Sequence, residues 1–482
     1  MSIKTKVHLL KRRRTKIVAT LGPASADVKI IRKLIETGVN VFRLNMSHGD
    51  HASHATNYKN IRDIANDMTL PIGILADLCG PKIRTGKFKN DSIELEDGKQ
   101  VVVTTRDVIG EDGLIPSQYH ELAGDVRVKD RILLNDGALE LKVDAIDDTE
   151  ITCTVVHGGT LKNHKGINLP GVNVSAPSLT PKDIEDAEFV LGLGVDFIAL
   201  SFVRTASDVM QLKNIINKSQ KDVAIIAKIE KPEALQNASE ILDVADGIMV
   251  ARGDLGVELN PEEVPVAQSQ LIDLAKQKFK PVIVATQMLE SMIEQARPTR
   301  AEVTDISYAV TLGTDAVMLS AETAAGAFPV EAVNMMDRIA RQTESYLWST
   351  GSYENTSQAT GPGKTIWDAV SDATAQMAKD LLVRAVLVIS QSGMSAATMS
   401  SARPAAPVVA ITSQPHICRR MALYWSVIPV LADEAGNTNP NKLAQSVARG
   451  LRLAEPGEFI ILVKGFHSKP ELNNPSVTVL TA

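Results

Sequence analysis

Residues 247–254 read GIMVARGD, an apolar ribbon that ends in a cation, a glycine and an anion. Ile248, Met249, Val250 and Ala251 have the unbroken apolar character of a strand covered on both faces. Arg252 and Asp254, with Gly253 and Gly256 as hinges, fit a surface turn, a buried ion pair or a place where charge is needed for chemistry. The pattern recurs in KIVATLG (16–22), NVFRLNMS (40–47), IGILADL (72–78), DFIALSFV (196–203), AIIAKIE (224–230), PVIVATQM (281–288) and DAVMLSAE (315–322), making eight runs. Between most of them lie segments with helical periodicity, such as DVKIIRKLIETG and VAQSQLIDLAKQKF, the spacing of βα units. Eight such units predict a closed (β/α)8 TIM barrel.

The interval between the third and fourth runs is different in kind. SIELEDGKQVVVTT, DRILLNDGALELKVDAI and EITCTVVHGGTL alternate polar with apolar residues around Asp-Gly and Gly-Gly turns, which predicts antiparallel hairpins. Residues 86–174 therefore read as a small β domain inserted into a βα loop, placed to act as a lid. The barrel takes 1–85 and 175–345. After the linker-like STGSYENTSQATGPGKT, residues 346–482 carry the strand runs AVLVIS, PVVAIT, SVIPVL, FIILVK and SVTVLT between helical segments, an open α/β domain. Its first loop places Ser390, Ser392, Gly393 and Ser395 before a helix, as a phosphate cradle would, although hydroxyl and glycine loops are common.

Composition narrows the function. At 482 residues, 44% hydrophobic and 22% charged, the chain is an ordinary globular one, and its net charge of −6 gives no general attraction to nucleic acid or anionic membrane. The one basic run, KRRRTK (11–16), reads more simply as a solvated approach to the first strand than as a nucleic-acid or lipid contact. Cys79, Cys153 and Cys418 are an odd count without CxxC spacing, which argues against a disulfide framework or a structural zinc. No apolar run reaches the ~18 residues of a membrane span, and the N-terminus lacks a secretory core, so the cytoplasm is the expected compartment.

Polar residues gather at the C-terminal ends of nearly every run: Arg43, Asn45 and Ser47; Asp77; Ser201; Lys228 and Glu230; Arg252 and Asp254; Thr286; Ser320 and Glu322. In a barrel those ends share one face, where active sites assemble. Lys228 and Glu230, two apart, project to the same side. Glu230 and Asp254 end neighbouring strands ~4.8 Å apart, so their charges repel unless a cation lies between them. Two carboxylates with open positions match how Mg2+ is held, its other ligands coming from water and a substrate phosphate. Arg43, Arg84, Lys228 and Arg252 exceed the charge balance of two acids, so a polyanionic substrate and phosphoryl transfer are expected. There is no GxxxxGK[ST] loop and no kinase-type glycine loop, so any nucleotide is bound by another design.

The blocks RRTKIVATLGPAS, NVFRLNMSHG, GPKIRTG, IIAKIEKPEAL, IMVARGDLGVE, PVIVATQMLESM, RPTRAEVTDISYAV and VMLSAETAAG resemble those of the pyruvate kinase family in order and spacing. The resemblance implies a barrel, a mobile β lid after the third strand, a C-terminal regulatory domain and a homotetramer. It implies transfer of a phosphoryl group from phosphoenolpyruvate to ADP, giving pyruvate and ATP. Glu230 and Asp254 would hold Mg2+, with Mn2+ an alternative. Lys228 would stabilise the moving phosphoryl group and the enolate, and Arg43 would grip the phosphoryl oxygens. The Gly253 N–H would receive the substrate carboxylate, with Thr286 beside it near the route of enolate protonation. Arg84 and Lys165 resemble nucleotide-phosphate contacts, and His48 borders the nucleotide site together with Asn45.

One position departs from the commoner family pattern. Many members carry Glu in the GPxIRTG block and use K+, held by side chains matching Asn45, Ser47 and Asp77 and by the carbonyl of Leu78; this chain has Lys82. An ammonium near that pocket would replace the K+ charge and oppose a second cation, so K+ is expected to be dispensable. The effector loop ISQSGMSAATMSSARPAAP resembles the family's, but VKGFHSKPELNNPSVTVLTA departs from versions that clasp fructose 1,6-bisphosphate, which favours a sugar monophosphate or nucleotide effector. A magnesium-dependent aldolase on a related barrel would not need the lid, Lys228 or Arg84. A silent binding module acting through KRRRTK would have no reason to keep Lys228, Glu230, Asp254 and Thr286 together.

Overall fold

The computed structural model describes residues 13–172, 174–350, 365–467 and 470–482; Lys11 and Arg12 of the basic run and most of the linker-like stretch lie outside these. Eight parallel strands close into a barrel: β1 (Lys16–Thr20), β2 (Val41–Asn45), β3 (Gly73–Asp77), β4 (Phe197–Leu200), β5 (Ala224–Ile229), β6 (Gly247–Ala251), β7 (Val282–Ala285) and β8 (Ala316–Leu319). All eight predicted runs contribute one strand each.

Their alternation sorts the side chains. Ile17, Phe42, Ile74, Ile198, Ile225, Ile248, Val282 and Val317 point outward to the core shared with the helices. Val18, Val41, Leu75, Phe197, Ile226, Met249, Ile283 and Met318 fill the barrel interior. Continuing the inward series two residues at a time brings Thr20, Arg43, Asp77, Ser201, Lys228 and Glu230 to the C-terminal mouth. The same periodicity therefore builds an oily floor and a charged rim.

The structure differs from the sequence pattern at two places. β6 stops at Ala251, and Arg252–Glu258 is a helix rather than a strand tip with hinges. Arg252 finds its partners at the end of β7 and in the turn that follows it. In the lid, Arg131–Leu134 and Leu139–Asp147 form the predicted hairpin, but the turns at Asp97-Gly98 and Gly158-Gly159 do not join paired strands. Ser92–Leu95 pairs instead with Gly159–Lys162, while Gln100–Thr104 pairs with Glu150–His157. Both turns are corners at which the chain leaves one sheet for the other. Gly158 is required there, since an added Cβ would come 2.0 Å from the Leu95 carbonyl oxygen.

The C-terminal domain is a five-stranded sheet in which β9 (Val386–Ile389) is central. It is flanked by β10 (Val408–Thr412) and β11 (Val427–Leu431) on one side and by β12 (Phe459–Lys464) and antiparallel β13 (Ser476–Thr481) on the other. It closes the bottom of the barrel. Leu423 joins the side chains inside the barrel floor, and Arg419 reaches the buried Asp196 at 2.7 Å. Two cations of the basic run are spent at this seam, while Arg13 donates to the Gly38 carbonyl and Asn40 within the barrel domain. Arg14 donates to the Pro404 and Ala405 carbonyls and lies 4.7 Å from the Trp348 ring, and Lys16 donates to the Val427 carbonyl. Leu423→Ala is expected to cost about 2–5 kcal/mol, the price of a large cavity in a core. Denaturant unfolding measures it; a cost well under 1 kcal/mol would show that the barrel floor is sealed without the plug.

Candidate active site

The inward rim residues are bonded to one another. Lys228 Nζ lies 2.7 Å from Glu230 Oε1 and 3.4 Å from Asp77 Oδ1, and it donates to Ser201 Oγ at 2.7 Å. Ser201 Oγ donates to the Leu78 carbonyl at 2.7 Å. Arg43 Nε donates to Asp77 Oδ2 at 2.6 Å and its NH1 to Thr20 Oγ1 at 3.1 Å. The second oxygen of Glu230 accepts the Phe202 N–H at 2.7 Å. Phe202 holds a left-handed φ of +54°, a conformation that non-glycine residues adopt rarely and that aims this N–H at the acid. Thr20 was missed from the sequence, although it stands two residues past inward Val18 and the rim rule finds it.

Burial and charge act against each other here. Burial works to lower the Lys228 pKa, but the carboxylates of Asp77, Glu230 and Asp254 outweigh it and hold the ammonium above its ordinary range. Burial raises the Glu230 carboxyl; Lys228 opposes that and Asp254 adds to it, leaving it above the usual range. For Asp77 burial also raises, but Lys228 and Arg43 together pull it below. The asymmetry is physical: Lys228 serves three acids, whereas Glu230 shares that lysine and faces a second carboxylate. Asp254 is half-buried and makes no side-chain hydrogen bond or ion pair among the described residues. An unpartnered carboxylate beside one whose charge burial disfavours is a donor set that fits a divalent cation. Among the described residues no group of three or more acids, histidines or cysteines is placed to hold a metal ion, so the other ligands of such an ion must come from solvent or substrate.

Arg252 does not face this centre. Its guanidinium pairs with Asp305 at 2.5 Å and donates to the Thr286 carbonyl at 2.7 Å. With Arg43 held by Asp77, the expected surplus of cations is smaller than the sequence count, because Asp77 and Asp305 balance two of them. No pattern in the sequence linked Asp305, on the helix Arg300–Thr311, to Arg252. Thr286 Oγ1 accepts the Gly253 N–H at 2.7 Å, so that N–H is already engaged.

The remaining predicted residues fall into separate groups. Arg84 and Lys165 meet at the lid hinge, where Arg84 pairs with Gly166, the Thr85 N–H donates to the Lys165 carbonyl, and Arg84 NH1 donates to the His164 carbonyl at 3.1 Å. Ser47 and His48 are exposed beyond β2, and Asn45 Oδ1 accepts the Ser47 N–H at 3.2 Å. Lys82 lines a cleft between lid and barrel together with Ile83, Asn168, Phe202, Lys231 and Asp254. No ion pair joins it to Asp77 or to any other acid among the described residues; the structure sets it toward the lid, not against Asp77. The lid hairpin lies beside the helix Arg252–Glu258, since a Cβ added at Gly137 would come 3.7 Å from Val257. In the C-terminal domain Gly393, at φ +87°, caps the helix Met394–Ser401, with Ser392 exposed and Ser390 and Ser395 buried. Ser390 Oγ has no hydrogen-bond partner among the described residues.

Fold and site together define a three-part barrel enzyme whose buried lysine and acid pair lies under a lid. A family profile described as pyruvate kinase, barrel domain, matches residues 12–333, and one described as pyruvate kinase, alpha/beta domain, matches 368–476. The chain is 44% identical over 458 residues to pyruvate kinase 2 of Synechocystis, covering 94% of this chain and 76% of that one. It is 41% identical over 454 residues to a pyruvate kinase of Thermococcus litoralis, covering 94% and 95%. The crystal structure of a pyruvate kinase from Cryptosporidium parvum superposes with a TM-score of 0.90 at 36% identity, over 97% of this chain and 96% of that one. The chain belongs to the pyruvate kinase family and is a phosphotransferase.

Proposed function

We propose that the chain is a cytoplasmic, homotetrameric enzyme that moves the phosphoryl group of phosphoenolpyruvate to ADP, giving pyruvate and ATP. The observation that carries this is the placing of Lys228 against Glu230 at 2.7 Å, with Asp254 unpartnered beside them. Arg43 uses Nε and NH1 within the protein, which leaves NH2 for a phosphoryl oxygen. Lys228 carries the fixed positive charge that stabilises the moving group and the enolate left behind. Thr286 and Gly253 receive the carboxylate end of the substrate, which must share the N–H that now meets Thr286 Oγ1. Arg84 and Lys165 bring cations from the hinge to the nucleotide phosphates, with His48 and Asn45 at the border of that site. Glu230 and Asp254 would hold Mg2+ or Mn2+, which would supply charge neutralisation on the transferred group. A coupled assay for pyruvate from phosphoenolpyruvate and ADP tests the reading, and absence of pyruvate formation rejects it.

We infer that K+ is dispensable: Asp77 is already paired with Arg43 and Lys228, and the Leu78 carbonyl accepts Ser201. Turnover is expected to be nearly unchanged on replacing K+ by a bulky organic cation at constant ionic strength; full dependence on K+ rejects the inference. We also propose that the loop Ser390, Ser392, Gly393 and Ser395 binds a sugar monophosphate or nucleotide effector. The buried and unpartnered Ser390 hydroxyl supports an anion there. A panel of phosphorylated metabolites is expected to contain one that raises the thermal midpoint, and no shift with any of them removes the regulatory reading.

A further inference from the structure

Thr286 and Gln287 are consecutive non-glycine residues in the left-handed region, at φ +68° and +53°. A β-branched residue there is a true outlier, and such a conformation persists only where its surroundings enforce it. The enforcing group is identifiable. Arg252 spreads its guanidinium over the turn, donating from Nε to the Ala285 carbonyl at 3.4 Å and from NH2 to the carbonyls of Thr286 at 2.7 Å and Gln287 at 3.5 Å. NH2 also meets Met288 Sδ at 2.8 Å. The other arm, NH1, is fixed by Asp305 Oδ1 at 2.5 Å, from a helix that contributes no rim residue. Meanwhile the next residue, Gly253, holds the hydroxyl of the same threonine through its N–H at 2.7 Å. Thr286 is thus gripped at its carbonyl by Arg252 and at its hydroxyl by Gly253, immediately before Asp254.

We propose that Arg252, anchored by Asp305, is a positioning residue for the phosphoryl-transfer reaction: it enforces the left-handed Thr286–Gln287 turn and so aims the Thr286 hydroxyl at Gly253 beside Asp254. This rests on the reading that Thr286 works at the substrate. It also answers what the two opposite charges after β6 are for. They serve different tasks, since Asp254 is turned to the centre and Arg252 away from it. A planar fork is needed, because only a guanidinium can span three carbonyls and a carboxylate at once; an ammonium is a point donor.

The test uses Arg252→Lys, alone and combined with Gln287→Gly, because glycine takes a positive φ at no steric cost and Gln287 is exposed. Arg252→Lys is expected to lower kcat by about 10²-fold, the effect of misplacing a reacting group by about 1 Å, while KM for phosphoenolpyruvate moves little. Adding Gln287→Gly is expected to recover much of the lost kcat, which a role confined to anchoring the helix would not allow. Should Arg252→Lys fold poorly, Asp305→Asn loosens the anchor while keeping an acceptor, and the same rescue is expected of it. A crystal structure of Arg252→Lys is expected to show the turn relaxed and Thr286 Oγ1 off the Gly253 N–H. An unaltered turn, or a kcat loss that Gln287→Gly does not touch in either background, overturns the proposal. A wild-type protein that makes no pyruvate would instead refute the functional reading, with the crystallographic arm still deciding the clamp.

Discussion

Lys228→Met is expected to lower kcat for pyruvate formation by at least about 10³-fold, at the upper end of what losing one preorganised electrostatic contact costs, because a full charge is lost from a water-poor site. The same substitution strips the ion pair from two of the three acids that Lys228 serves. Asp77 keeps Arg43 at 2.6 Å, but among the described residues Glu230 keeps only the Phe202 N–H. Breaking a buried pair from one side costs about 3–5 kcal/mol, although Glu230 can escape part of this by taking up a proton, since its pKa is already raised. The two effects separate experimentally. Lys228→Met with Glu230→Gln should regain stability toward wild type and stay inactive, as measured by denaturant unfolding beside the coupled assay. A single variant that folds and retains a tenth of wild-type kcat would mean that Arg43 and the metal carry the transition-state charge without the lysine.

The contrast between what was readable and what was not lies in the range of the interactions. Arg43, Asp77, Ser201, Lys228 and Glu230 were legible because each extends an alternation of apolar residues by one more step, and alternation is a local property of a strand. Thr20 obeys the same rule and was passed over only because a threonine is unremarkable in a strand. Arg252 was placed at the correct strand end and assigned the wrong neighbours. Its partner Asp305 lies 53 positions away, on a helix, and nothing local records such a pairing. The corners at Gly98 and Gly158 failed for a related reason: a glycine turn fixes a change of direction, and which strands then pair depends on the closure of the whole lid. Lys82 reads from the sequence as an ammonium near the pocket of Asn45, Ser47, Asp77 and the Leu78 carbonyl, and where its side chain settles in the cleft between lid and barrel depends on tertiary packing that no local pattern records.

Removing one acid of the pair should act first on the metal. Loss of groups that merely orient ligands costs about 10–100-fold in metal affinity, so Glu230→Gln and Asp254→Asn are each expected to weaken Mn2+ or Mg2+ binding by more than about 100-fold. Titration of the free enzyme with Mn2+, followed by its electron paramagnetic resonance signal, reads this without relying on turnover. The pH dependence carries a sign that distinguishes the two acids. A raised Glu230 carboxyl holds its proton to higher pH than an exposed glutamate, so in the wild type protons compete with the metal and affinity falls as pH drops through that raised value. Asp254→Asn removes a repelling charge and lowers the Glu230 pKa, so its weaker binding should persist to lower pH than the wild-type binding does. Glu230→Gln removes the titrating group, and the acid limb that belongs to it should vanish. If both variants bind Mn2+ as the wild type does, the two carboxylates are not its ligands, and Lys228 is then the neutralising partner of Glu230 rather than its companion at a metal centre.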